Sequence, residues 1–238
     1  MSKKIYLTII ALVALLTVLI AAIYIVQSSK SYDVGVKAGD VFTYQMTGTA
    51  ETSPDDVEGA SENFLDISES FLDINNIDFY RVEITTVDFP FVSYTETTQF
   101  KNGTNYSLDG AINVKTGDIT MDGGFWGVFI ANLSEGSLSR PDAPKSQSGA
   151  SEGITIDSIE QRVYLDGNRA TNFMSITGDL YDMDDPYYTR TGVRYTYVSF
   201  DKQLGILVEL KDMQIYNNPQ ISLTVELKLV ESNVLQVP

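Results

Sequence analysis

The chain has 238 residues, 43% of them hydrophobic and 11% aromatic, which is enough for a packed core and argues against a disordered protein. It contains no cysteine and no histidine, so disulfides, thiolate or histidine zinc sites and His-assisted nucleophilic catalysis are excluded. Its 16 basic and 32 acidic residues leave a formal charge of −16; such a surface repels phosphate backbones and argues against nucleic acid as a partner.

The first predicted element is a membrane span. Ile5 to Val26 is a run of 22 uncharged residues, and at about 1.5 Å per residue it matches a hydrocarbon core of roughly 30 Å. Tyr6 and Tyr24 stand near its two ends, where aromatic rings favour the headgroup level, and Lys3 and Lys4 before it predict a short cytoplasmic tail over residues 1–4. A cleaved signal peptide has a shorter apolar region followed by an A-x-A-like site, which "IYIVQSSK" lacks. No cysteine follows the run to carry a lipid. The sequence therefore predicts a single-pass protein with its N-terminus inside, a polar stalk over residues 27–38 and an extracellular domain over residues 39–238. All 32 acids follow Val26, so that exterior part carries a formal −18 against its 14 bases. A solvated surface that keeps the domain soluble explains this charge.

From Gly39 onward the pattern becomes short alternating segments separated by turn residues. Strands are predicted at Val41–Thr47, Phe79–Val87, Phe91–Phe100, Ile159–Tyr164, Phe173–Leu180, Val193–Phe200 and Ile206–Ile215. In the last run, "ISLTVELKL", Ile221, Leu223, Val225, Leu227 and Leu229 alternate with polar residues, as in an antiparallel strand with one buried face. Neighbouring runs lie too close for helical crossovers, so consecutive strands are expected to pair as hairpins. Asn102-Gly103, Asp109-Gly110 and Asp166-Gly167 are candidate tight turns. "NVKTGDIT" and "DKQLGILV" echo each other, with Asn113 or Asp201 opening a turn and Gly117 or Gly205 suited to a left-handed closing position. Two segments read as helical: "SENFLDISESFLDI", and "GFWGVFIANLSEG", where Trp126, Phe129, Ile130 and Leu133 recur at i, i+3, i+4 and i+7. The second is expected to lie on the sheet as core or as the lid of a pocket. The fold class is thus mainly β: a curved antiparallel sheet, either half-barrel or sandwich, with one or two short helices packed on it.

The candidate sites are few. "GDLYDMDDPYYTR" clusters carboxylates around Pro186, and Asp182, Asp184 and Asp185 are a weak calcium candidate. The glycine and the closing acid of an EF-hand are missing, so a hairpin loop flanked by tyrosines is the better reading. No other cofactor is expected. Sequons at Asn102, Asn105 and Asn132 are glycosylation candidates, the first two on a predicted hairpin tip and the third on the predicted helix. Carboxylate pairs able to hydrolyse glycosides need neither His nor Cys, but no pair is singled out by spacing.

"VGVKAGDVFTYQMTG", "FKNGTNYSLDGAINVKTGD", "FIANLSEG" and "FDKQLGILVEL", in that order behind an N-terminal apolar run, resemble a group of uncharacterised archaeal membrane-anchored surface proteins. The resemblance implies localisation and architecture and carries no catalytic residues. A curved antiparallel sheet with helices on its inner face is also similar to the half-barrel of lipoprotein carriers, which implies an apolar ligand. The expected function is a non-catalytic surface or envelope protein that binds or displays, its partner being a cell-surface protein, a glycan or an apolar ligand. A pilin-like structural subunit is the first alternative, although no small residue follows Lys4 for processing. An extracellular hydrolase is the second.

Overall fold

The computed structural model describes residues 32–52, 72–121, 125, 127–143, 153–165, 167–181, 187, 189–217 and 220–237. Two compact units are distinguished, Met1–Asp33 and Val34–Pro238, and only the second is described in any detail. Among the described residues no helix is long and apolar enough to cross a membrane; the run Ile5 to Val26 lies outside them.

Val34–Pro238 is mainly β. Its strands are β1 (Val41–Thr52), β2 (Ile77–Asp88), β3 (Phe91–Phe100), β4 (Asn105–Asn113), β5 (Ile119–Met121), β6 (Ser158–Tyr164), β7 (Gly167–Tyr181), β8 (Arg190–Asp201), β9 (Leu207–Asn217) and β10 (Gln220–Ser232). They form one antiparallel sheet in the order β5-β4-β3-β2-β1-β10-β9-β8-β7-β6. Consecutive strands pair side by side, as short connections favour, at every step but one. The first and last strands pair in the middle, Tyr44 opposite Leu229 and Ala50 opposite Leu223, while β5 and β6 stand at opposite edges and do not pair. The sheet is not closed into a barrel.

Period-two burial explains why these segments are strands. Phe42 and Tyr44 on β1, Val82 and Ile84 on β2, Val92 and Tyr94 on β3, and Leu223 and Leu229 on β10 are buried on one face, as alternating patterns dictate. Val225 is only half-buried, because it stands opposite Gly48, which offers no side chain to pack against.

Because strand directions alternate, the turns sort to two ends. The chain enters the unit at one of them: Val34 bridges to Ile130, the Gly35 amide donates to the Phe129 carbonyl (2.9 Å) and Gly39 donates to Ile84 (2.8 Å). The same end carries the β2–β3 turn at Phe89-Pro90, the β4–β5 turn after Asn113, the β6–β7 turn at Leu165 and the β8–β9 turn after Asp201. The far end carries the β3–β4 turn at residues 101–104 and a single 3-10 turn, Ile74–Asn76.

The echo between the β4–β5 and β8–β9 turns is real. Gly117 (φ 81°) and Gly205 (φ 64°) both take left-handed backbone, and their amides donate to the carbonyls of Asn113 (2.7 Å) and Asp201 (2.8 Å). Asn113 Oδ1 accepts from Lys115 and Thr116, and Asp201 Oδ1 accepts from Gln203 and Leu204 in the same way. Gly103 (φ 89°) also lies in a turn, and Gly167 (φ 121°) opens β7 directly after one. Asp109-Gly110 does not turn, since both residues lie inside β4 opposite Thr95 and Tyr94. A Cβ on Gly110 would collide with the Tyr94 ring, so this glycine admits an aromatic side chain, a use of glycine that strands share with turns.

The two matching turns differ in burial, which fixes an expected difference in cost. Asp201 is 0% exposed and also holds Arg169 through two oxygens, at 2.7 and 3.1 Å, whereas Asn113 is only half-buried. Asp201→Ala is expected to destabilise the protein by about 3–5 kcal/mol, as loss of one member of a buried pair does. Asn113→Ala should cost about 1 kcal/mol. Urea midpoints of the two variants check this, and equal shifts would show that the turn, not the buried pair, carries the stability.

Candidate functional site

The chain between β5 and β6 must pass from one edge of the sheet to the other, and its described part packs on the sheet's buried face. This strap, residues 125, 127–143 and 153–157, buries Phe125, Val128, Phe129, Ile130, Leu133 and Ile156. The Phe125 and Phe129 rings meet tilted at 6.0 Å and reach Tyr44 and Tyr94 on the sheet, with centroids 5.6 to 6.1 Å apart.

Phe129, Ile130 and Leu133 are therefore core, but not on a helix. Phe129 (φ 59°) and Asn132 (φ 57°) take left-handed backbone, which a helix does not use. Their amides donate to tertiary partners, Phe129 to Gly205 (2.8 Å) and Asn132 to Lys202 (2.7 Å). A Cβ on Gly127 would collide with the Phe129 ring, so the chain folds back on itself where a helix would have continued. The i, i+3, i+4, i+7 spacing marked burial correctly and conformation wrongly. Trp126, the fourth residue of that set, lies outside the described residues.

Several groups with chemical potential face this strap. The Phe125 amide donates to Glu96 Oε1 (2.7 Å), and Tyr80 donates to the same carboxylate. Burial pushes Tyr80 far up, with the Glu96 charge and hydrogen bond adding to it. Burial likewise pushes Tyr94 up to about 12, Glu96 adding while the Phe125 backbone and the Arg140 charge oppose. Tyr44 is driven up by burial and by its proximity to Tyr164, and its hydroxyl donates to the Leu207 carbonyl (2.9 Å). These phenols stay protonated: Tyr44 and Tyr80 donate hydrogen bonds, and Tyr94 accepts one from the Phe125 backbone. Arg140, 4% exposed, donates to the carbonyls of Val114 (3.4 Å) and Val128 (2.9 Å) and to that of Gly127. Desolvation pulls it down to about 10, the nearby Tyr94 resisting.

A second polar group lies on β8 and β9. Asp212 Oδ1 accepts from Arg194 Nε and Thr196 Oγ1, both at 2.6 Å. Gln214 Nε2 donates to Asp212 Oδ2 (3.3 Å), and the Tyr216 hydroxyl donates to Gln214 (2.9 Å). The network satisfies a carboxylate set on the same sheet face as Leu223, as a buried charge requires.

One cavity between the described strap residues and the sheet is small. It measures about 10 Å³ and lies between Val128, Ile130, Leu133, Ser139 and Ile156 of the strap and Asn172, Met174 and Phe200 of the sheet. That is room for one water-sized centre and no more, and Asn172 Oδ1 faces it without a protein partner. A larger open hollow, about 420 Å³, lies at the far end between Asp73, Asn76, Phe100, Lys101 and Asn102.

Asn102 and Asn105 are exposed on the β3–β4 tip, where Asn102 Oδ1 accepts from both the amide (2.9 Å) and the hydroxyl (2.7 Å) of Thr104. Asn132 lies at the entry end beside Lys202 and not on a helix. Asp182, Asp184 and Asp185 lie outside the described residues, and among those described no group of three or more carboxylates could hold a metal ion. Sequence reasoning missed Glu96, Arg140 and Asp212. Glu96 and Asp212 are charged residues at otherwise inward strand positions, and that break in pattern was the available signal; Arg140, in the Ser- and Pro-rich stretch "SLSRPDAP", offered none. Neither the models of known protein families nor the curated proteins include a match to this chain.

The buried phenols predict an alkaline limit. Their pKa values are raised in the fold, so the stability they contribute is complete below the unfolded value near 10 and falls as pH rises above it, where only the unfolded chain loses the protons. Tyrosinate absorbance of Tyr44, Tyr80 and Tyr94 should therefore appear together with the loss of β-sheet circular dichroism above about pH 10. Ionisation of all 14 tyrosines with the sheet intact would contradict the assignment.

Proposed function

We propose that this is a membrane-anchored, extracellular surface protein whose β domain displays or binds at its surface and performs no catalysis. The observation that carries the reading is that the described part of the chain's own strap packs on the buried face of the sheet, with a cavity of about 10 Å³ between those residues and the sheet. We read the architecture as a half-barrel whose inner face the strap covers, so that an apolar ligand finds little room beside the described strap residues. Groups that could serve as acid, base or electrophile are engaged in holding that strap and its turns: Glu96 on the Phe125 amide, Arg140 on three carbonyls, Asp201 on Arg169. The 22-residue apolar run behind two lysines supports the anchor, and the resemblance to archaeal surface proteins points the same way. Asn102 and Asn105, on an exposed tip at the far end, are the sequons best placed to carry glycans.

Two measurements test this. The full-length protein should remain in the membrane pellet after alkaline carbonate washing; release into the wash removes the anchor. Adding long-chain fatty acid or phospholipid to the detergent-solubilised protein should leave Tm unchanged, because a ligand at 100 times its Kd would add about 2.7 kcal/mol. A saturable rise would favour a lipid carrier over a display module.

A further inference from the structure

The two ends of the sheet differ in chemistry. At the entry end, among the described residues, large side chains of pure hydrocarbon stand in solvent in two groups toward opposite edges of the sheet: Phe89 (50% exposed), Phe91 and Val87 on the β2–β3 hairpin with Ile119 on edge strand β5, and Val163 (74%) and Leu165 (72%) where β6 turns into β7. Among the described residues the far end exposes Leu72 and three tyrosines, Tyr106, Tyr181 and Tyr187, together with both hairpin-tip sequons. Single exposed apolar residues are ordinary on a protein surface, but six at one end of the strands call for an occupant.

The chain itself limits what that occupant is. Val34 and Gly35 are fixed at the entry end by pairing with Ile130 and Phe129, and Val34 lies eight positions beyond Val26, the last residue of the apolar run. Fully extended, that length of chain reaches at most about 29 Å, so an anchored chain keeps this end near the headgroups. Lys37, Lys115 and Lys202 stand there among Asp88 and Asp118, so the end carries both signs of charge although the whole chain is at −16. We infer that the entry end is a membrane-facing surface, and that Phe89 and Leu165, exposed on two of its hairpins, dip into the headgroup region of the bilayer that holds Ile5 to Val26. Aromatic and aliphatic side chains at this depth add interfacial affinity and fix the tilt of a domain that a tether alone would leave free. The inference rests on the anchor reading above.

The absence of native cysteine allows single-site labelling of the full-length protein. The variants Leu15→Cys, Phe89→Cys, Leu165→Cys and Tyr106→Cys, each carrying an environment-sensitive nitrobenzoxadiazole, are reconstituted into phosphatidylcholine vesicles with nitroxide lipids spin-labelled at the headgroup or mid-chain. Position 15 should be quenched by the mid-chain nitroxide. Positions 89 and 165 should be blue-shifted and quenched by the headgroup nitroxide several-fold more than position 106. Quenching at 15 with 89, 165 or both no stronger than 106 overturns the membrane-facing end and leaves the anchor standing. No quenching at 15 overturns the anchor, and the inference with it.

Discussion

A ten-stranded antiparallel sheet whose edge strands β5 and β6 do not pair leaves one long passage for the chain between them, and the rest of the domain depends on how it is made. A passage through solvent would leave Tyr44, Tyr94, Met174 and Phe200 uncovered on the inner face; the strap covers them, and they are at most 2% exposed. The hydrophobic effect selects the inner route, since each large side chain so covered contributes about 1.5–3 kcal/mol. The route has a cost in hydrogen bonding, because an irregular segment against a sheet has no ladder of its own. Its amides and carbonyls must find partners one by one, in Gly205, Lys202, Gly35 and Glu96.

That requirement accounts for the polar groups of the interior. Glu96 takes a strap amide and Arg140 takes strap carbonyls, while the phenol of Tyr80 shares Glu96. Outside a functional context such groups would look like catalytic residues, since buried carboxylates and tyrosines with raised pKa values are common at active sites. Here Glu96 and Arg140 are engaged by backbone atoms at bonding distance and Tyr80 by Glu96, and the cavity between the described strap and the sheet admits one water-sized centre. A chain without cysteine cannot fasten a long crossing by a disulfide, so hydrogen bonds to buried side chains take over that fastening.

The strands β1 to β3 and β6 to β10 were legible because each has a wet face and a dry face, and period two is what that environment selects; most of the predicted helix "SENFLDISESFLDI" lies outside the described residues. β10 is the clearest case, with Ile221, Leu223, Leu227 and Leu229 buried as their alternation implies. β4 escaped because its inward positions include Gly110, which reads as a turn beside Asp109 while Tyr94 supplies the missing bulk from the next strand. β5, with three residues, is too short to show any period. The strap was legible only in composition: its apolar residues are core, yet left-handed Phe129 and Asn132 are tertiary outcomes that no local propensity encodes. Asn113 and Asp201 were readable as matching turns because that geometry is local, whereas the added role of Asp201 depends on Arg169, 32 residues away in sequence.

The choice of arginine at position 140 follows from the same constraint. Three carbonyls, from Val114, Val128 and Gly127, surround a site where desolvation pulls the guanidinium down to about 10. A guanidinium so displaced still carries its charge and all five donors at neutral pH. Desolvation would pull a lysine down as well, from a lower starting value, and its compact head offers three donors without the planar spread needed to reach separate carbonyls. Only a cation that tolerates desolvation can hold an irregular strap by its carbonyls. The strap's fold therefore depends, beside its backbone partners and Glu96, on a long-range side chain that its periodicity gave no reason to single out.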